Sequence, residues 1–87
     1  MSVRYTGWMY FVYLLECADK SIYTGIATDV ERRFKEHQKG TAAAYTRSRK
    51  AVRVLYTEKA IDRSTALKRE AAIKKLTRTQ KLELAAS

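Results

Sequence analysis

The alternation of apolar and polar positions organises the chain around Phe11 to His37. Two short apolar runs, Phe11 to Leu15 and Ile22 to Ile26, each carry a tyrosine (Tyr13, Tyr23) and flank the polar segment Glu16 to Ser21, which predicts a β-hairpin. Trp8 opens the first strand. Both of its alternating sets are apolar, Tyr10, Val12 and Leu14 against Phe11, Tyr13 and Leu15, so it should be covered on both faces and central in its sheet. Tyr13 and Tyr23 share a face only if paired residue numbers add to an even value, because side chains alternate with period two. That requires an odd-length loop, such as Asp19-Lys20-Ser21, or a bulge. Without a glycine in the loop, Asp19 or Lys20 would bear the strain of a left-handed position. Gly25, near the end of the second strand, lets the backbone approach a helix or a ligand closely.

A helix follows the hairpin. Thr28 with Glu31 three residues on reads as a capping box, and Val30 and Phe34 at i and i+4 form an apolar stripe. Arg33 and His37, also four apart, project from a neighbouring face. Lys39-Gly40 supplies a C-cap with glycine at the left-handed position. Thr41 to Lys50 has no convincing period and reads as a loop. Val52 to Glu58 alternates Val52, Val54 and Tyr56 against Arg53, Leu55 and Thr57, a third strand with one wetter face. Asp62 or Ser64 caps a second helix running to about Leu76, and Thr77 or Thr79 opens a last one through Leu84. In the second helix Ala66, Glu70 and Ile73 fall at i, i+4 and i+7. An acid thus lies on the inward stripe, which is costly unless it is paired or holds a cation. The expected fold is α+β: a small three-stranded antiparallel sheet in the order β-β-α-β-α-α, flanked by helices.

Length places all of this in a single domain, residues 1–87, with a core of about 8–84 and a loose arm over 1–7. The longest apolar run, Trp8 to Leu15, is too short to span a bilayer and lacks the flanks of a secretory signal, so a soluble cytoplasmic protein is expected, with no membrane partner. The one cysteine, Cys17, reads as a buried thiol near the end of the first strand.

Charge changes the picture more. Eighteen Lys and Arg against nine Asp and Glu give a net charge of +9, a surface that attracts polyanions, nucleic acid above all. The excess is clustered. Ala44 to Val54 holds Arg47, Arg49, Lys50 and Arg53 with no acid, and Lys68 to Lys81, which includes Lys74, holds Glu70 as its single acid. One-signed clusters beside a tyrosine-rich hairpin favour phosphate binding over mere solubility. Tyr45 and Arg47, with Arg49 and Lys50, read as a flap contacting a nucleic-acid backbone.

The order of these residues resembles the GIY-YIG nuclease domain, over roughly Trp8 to Leu84. The first triplet appears in the degenerate form Phe11-Val12-Tyr13 and the second as Tyr23-Thr24-Gly25. Arg33 and His37 match the arginine and histidine of the family's first helix, and Glu70 its later glutamate. Neither triplet is literal, and the chain has no counterpart of the asparagine that many members carry late in the domain. The resemblance implies a divalent-metal-dependent endonuclease acting on DNA, or on RNA or branched nucleic acid more broadly, in repair or recombination. In that reading Glu70 is the sole protein ligand to Mg2+ or Mn2+, Arg33 binds the scissile phosphate, and Tyr13 is the general base or its relay, with its pKa lowered by surrounding cations and the metal. Tyr23 positions water or phosphate, and His37 holds a tyrosine or accepts a proton. The alternative is a non-catalytic nucleic-acid-binding module of the same fold. Zinc is not expected, since one Cys and one His fall short of a closed ligand set.

Overall fold

The computed structural model describes residues 9–87. The arm over 1–7 and the expected strand start at Trp8 lie outside the described residues. Three strands, β1 (Tyr10–Cys17), β2 (Ile22–Ala27) and β3 (Ala51–Ala60), form one antiparallel sheet in the order β2-β1-β3. Four helices complete the chain: α1 (Val30–Lys39), α2 (Ala44–Arg49), α3 (Arg63–Lys74) and α4 (Arg78–Ala86). The fold is α+β, as the pattern predicts, with β1 at the centre. None of the helices among the described residues is long and apolar enough to cross a membrane.

The central position of β1 follows from its two apolar sets. Val12 and Leu14 face one side, where Ala66 and Ile73 of α3 and Leu82 and Leu84 of α4 pack on them. Tyr13 and Leu15 face the other, against Ala51 of β3 and Val30 and Phe34 of α1. The sheet is therefore sandwiched between helices. Cys17, the last residue of β1, is buried, and that burial raises its thiol pKa.

The hairpin has the even register that puts both tyrosines on one face: Tyr13 pairs with Gly25 and Leu15 with Tyr23. Its loop is one residue earlier than expected. Cys17 N–H donates to Ser21 O at 2.9 Å and Lys20 N–H to Cys17 O at 2.9 Å, which leaves Ala18, Asp19 and Lys20 as the three loop residues. Lys20 takes the left-handed conformation (φ 73°), and its carbonyl accepts from Arg78 Nε at 2.9 Å.

Three further expectations need correction. The helix α1 is capped by Asp29, whose carboxylate accepts from Arg32 N–H at 3.1 Å, so Thr28 and Glu31 do not form a capping box. Asp29 competes for the same role one residue later, and a carboxylate is the better acceptor at the positive end of a helix. The segment Thr41 to Lys50 is not all loop but carries α2, so the order is β-β-α-α-β-α-α. In β3 the alternation is broken by register shifts opposite Leu14/Leu15 and Glu16/Cys17. Bulges place an extra residue on one strand. Leu55 and Tyr56 consequently pack against the same cluster as Val12 and Leu14 rather than on opposite faces.

The remaining caps agree with the sequence. Gly40 ends α1 at φ 80°, Asp62 accepts from Thr65 N–H at 2.7 Å to open α3, and Thr77 with Gln80 makes a full capping box for α4.

Candidate active site

Tyr13 is fixed first, by its strand. It is central in the sheet and 2 % exposed, and its ring lies directly over its cross-strand partner Gly25. A Cβ at position 25 would sit 2.6 Å from the Tyr13 hydroxyl oxygen and 2.7 Å from Cζ, so only glycine admits the phenol in this place. The close backbone approach read from Gly25 is to a side chain of the same protein.

Helix α1 then supplies His37. It lies one turn beyond Arg33 on the same helix face, buried where the Arg33 side chain is partly exposed. His37 is buried, and its Nε2 lies 2.8 Å from the Tyr13 hydroxyl. Its Nδ1 lies 2.7 Å from Oγ1 of Thr46, a buried hydroxyl on α2 that also donates to Ala43 O at 3.2 Å. Burial and, after it, the Arg33 guanidinium hold the imidazole below its usual pKa, with Glu36 opposing. It is therefore neutral near pH 7.

Tyr23 stands between these groups and α2. Its ring centroid is 4.8 Å from that of His37, 6.3 Å from Tyr13 and 5.7 Å from Tyr45. Arg49 lies over the Tyr45 ring at 4.0 Å and pairs with Asp19 at 3.3 Å. Arg49 thus ties α2 to the hairpin loop, and Ala18 N–H reinforces the tie by donating to Arg49 O and Lys50 O. This restrains one cation of the expected basic flap. Arg47 and Lys50 are exposed and form no ion pair among the described residues.

Glu70 comes from α3, on the far side of the sheet. Its side chain is 16 % exposed and pairs with Lys74 one turn on, at 3.3 Å. The inward acid is therefore compensated by a lysine rather than by Arg33, which instead pairs with Glu36 at 3.1 Å. Glu36 also takes Arg32 at 3.4 Å.

Tyr13, Tyr23, Gly25, Arg33, His37 and Glu70 line one open cavity of about 220 Å3, with Ile26 and Ala42 completing its wall. All five residues singled out for chemistry in the sequence thus meet at one place. Of the expected nucleic-acid contacts, Tyr45 adjoins it through Tyr23, and Lys74 adjoins it through Glu70. Two neighbours escaped the sequence reading. Glu36 lies three residues from Arg33 and four from Arg32, a spacing that could have flagged it. Thr46 gave no signal, because its segment showed no period.

The donor set decides which metal would fit. Among the described residues no three His, Cys, Asp or Glu side chains gather, so a closed zinc site is not available. One partly buried carboxylate beside an open cavity suits a hard divalent cation whose other ligands are water and phosphate oxygens. The groups of the chain itself act against ionisation of Tyr13. Burial first, and then the neighbouring Tyr23, push the Tyr13 phenol well above its ordinary pKa, and Arg33 offsets this only in part. Cations of the chain itself do not make Tyr13 acidic, because desolvation of a phenolate outweighs one guanidinium at the rim.

Residues 9–83 match the family model described as the GIY-YIG catalytic domain. A UPF0213 protein of Cupriavidus necator is 57% identical over 72 residues, covering 83% of this chain and 78% of the relative. A UPF0213 protein of Haloquadratum walsbyi is 50% identical over 76 residues, covering 87% and 85%. Among solved structures, the solution NMR structure of a UPF0213 protein from Bacillus halodurans is similar with a TM-score of 0.56 and 41% identity, over 90% of this chain and 83% of that one. A solution NMR structure of an E. faecalis protein gives 0.60 and 44%, over 97% and 86%.

Proposed function

The chain belongs to the GIY-YIG family, and from that premise we propose that it is a divalent-metal-dependent endonuclease that hydrolyses phosphodiester bonds of DNA. The observation that carries this reading is the convergence of Tyr13, Tyr23, Arg33, His37 and Glu70 on one cavity, from four separate elements. A core that needed only packing would not gather two phenols, an imidazole, a guanidinium and a carboxylate around open space.

Glu70 would hold the cation, exchanging its contact with Lys74. When bound, a divalent ion supplies Lewis acidity toward a phosphoryl oxygen and favours ionisation nearby. The protein groups do the rest. Arg33 exchanges Glu36 for the scissile phosphate, donating to its oxygens as charge builds in the transition state. Tyr13 passes its hydroxyl proton to Nε2 of His37, and the phenolate takes a proton from water. The water oxygen forms the new bond to phosphorus, the bond to the leaving oxygen breaks and that oxygen takes up a proton from solvent, and the proton on His37 returns to solvent. The imidazolium so formed, with Nε2 at 2.8 Å, offsets part of what burial costs the phenolate. Tyr23 orients water or phosphate at the mouth. Tyr45, Arg47, Arg49, Lys50 and Lys74 provide the surface along which the nucleic-acid backbone runs, and repair or recombination of DNA is the setting for such an activity.

A second reading, a nucleic-acid-binding module without turnover, is favoured by the raised pKa of Tyr13 and by the Lys74 contact on Glu70. Supercoiled plasmid incubated with the protein, with and without Mg2+ or Mn2+, separates the two. Metal-dependent nicking that disappears in Glu70→Ala supports the nuclease. Gel-shift binding with no nicking under either metal assigns the module.

A further inference from the structure

Thr46 lies outside every motif that marks the family resemblance, yet it is 1 % exposed on a helix of six residues whose other side chains are half-buried or exposed. A buried hydroxyl in such a short helix is costly unless it is used. It makes two contacts, 3.2 Å to Ala43 O and 2.7 Å to Nδ1 of His37. A threonine hydroxyl has one hydrogen and a carbonyl can only accept, so with that hydrogen directed to Ala43 O the oxygen is left to accept from His37. Nδ1 therefore carries the proton of the neutral ring, and Nε2, facing the Tyr13 hydroxyl, is the acceptor.

We propose that Thr46 is a positioning residue for proton transfer from Tyr13, holding His37 as the Nδ1–H tautomer with Nε2 bare and aimed at the phenol. The proton of Tyr13 moves to Nε2, making an imidazolium whose Nδ1–H remains anchored on Thr46, and it leaves by Nε2 after the phenolate has taken a proton from water. With the opposite tautomer Nε2 would donate to the phenol, and no acceptor would remain for its proton. The segment that looked like loop is on this account an arm that sets the protonation of the site. The reading rests on the proposed nuclease chemistry, but its geometric half does not.

The test uses that separation. His37 is the only histidine in the chain, so the imidazole 15N–1H correlations of uniformly labelled protein need no assignment by mutation. The wild type should show the Nδ1–H tautomer. Thr46→Val, which keeps the shape and removes the oxygen, should lose that preference, whereas Thr46→Ser should keep it. In metal-dependent plasmid nicking at saturating DNA, Thr46→Val should lower turnover about tenfold or more with KM little changed, and Thr46→Ser should stay within about threefold of wild type. An Nε2–H tautomer in the wild type, or Thr46→Val retaining Nδ1–H, overturns the inference. So does equal loss of turnover in the valine and serine variants, which would mark Thr46 as packing only. A wild type with the Nδ1–H tautomer that never nicks DNA refutes the nuclease reading instead, and the Val and Ser tautomers then decide the role of Thr46 by themselves.

Discussion

At Tyr13 the burial that orders the phenol also opposes its ionisation, and its neighbours settle how that conflict resolves. Gly25 is the most constrained of them. Gly25→Ala puts a methyl group 2.6 Å from the hydroxyl oxygen, and the ring has a sheet beneath it and cannot swing away. Overpacking of this kind costs about 1–3 kcal/mol; thermal unfolding should register the loss, and the Tyr13 to His37 hydrogen bond should be displaced. His37 sets the acid limit. Its pKa is lowered in the folded protein, so the unfolded chain binds the proton more readily as pH drops below about 6.5. The stabilising effect of keeping it neutral is thus fully present above that pH and lost as pH falls toward the folded value. Melting temperature should decline between pH 7 and 5.5 in the wild type and decline less steeply in His37→Gln. Equal slopes would contradict the burial cost assigned to the imidazole.

Elements were legible in proportion to how much of their stability is local. The hairpin register, the central position of β1 and the Gly40 and Asp62 caps follow from period, parity and capping chemistry, all written in neighbouring residues. The helix α2 was not legible, because its cap residue Ala43 offers no side-chain acceptor, its first turn has no acid, and six residues show no period. It is held by tertiary contacts: Thr46 under His37, Tyr45 against Tyr23, and Arg49 on Tyr45 and Asp19. The bulges in β3 were hidden for the same reason, since they answer to β1 across the ladder. Two substitutions probe this scale. Lys20→Gly relieves a left-handed residue at φ 73°, and strain of about 1–2 kcal/mol less the entropy of glycine should leave the protein about 0.5–1 kcal/mol more stable by denaturant unfolding. Thr24, between the two site residues of β2, has a buried hydroxyl with no hydrogen-bond partner among the described residues. Thr24→Val removes that orphan at nearly constant shape, and a gain of about 1 kcal/mol, or about 4–8 °C in Tm, is expected. A loss on either substitution would show that the turn or the strand has a partner not accounted for.

Over the whole molecule, a net charge of +9 is spent unevenly. Arg32 and Arg33 share Glu36, Arg49 holds Asp19, Arg53 holds Glu16, Arg69 holds Glu58, and Lys74 holds Glu70. Arg47 and Lys50 are left exposed beside the Tyr45 edge of the site. Arg47→Ala should therefore weaken DNA binding alike across sequences and reduce the slope of log affinity against log salt by about one. Arg49→Ala should do less to that slope and more to the stability of α2. The gathering of five site residues was readable from the sequence only through the family pattern, for nothing local to Glu70 says that it reaches the cavity containing Tyr13.

The proposed chemistry depends on Tyr13 above all. The Tyr13→Phe protein keeps the ring over Gly25 and removes the hydroxyl hydrogen-bonded to His37, so folding and DNA affinity should change little. Single-turnover nicking of plasmid, with protein saturating and divalent metal present, measures the chemical step alone. A fall of about 100-fold or more at unchanged affinity is the predicted result; nicking at the wild-type rate would remove the phenol from the chemistry and contradict the mechanism built on it.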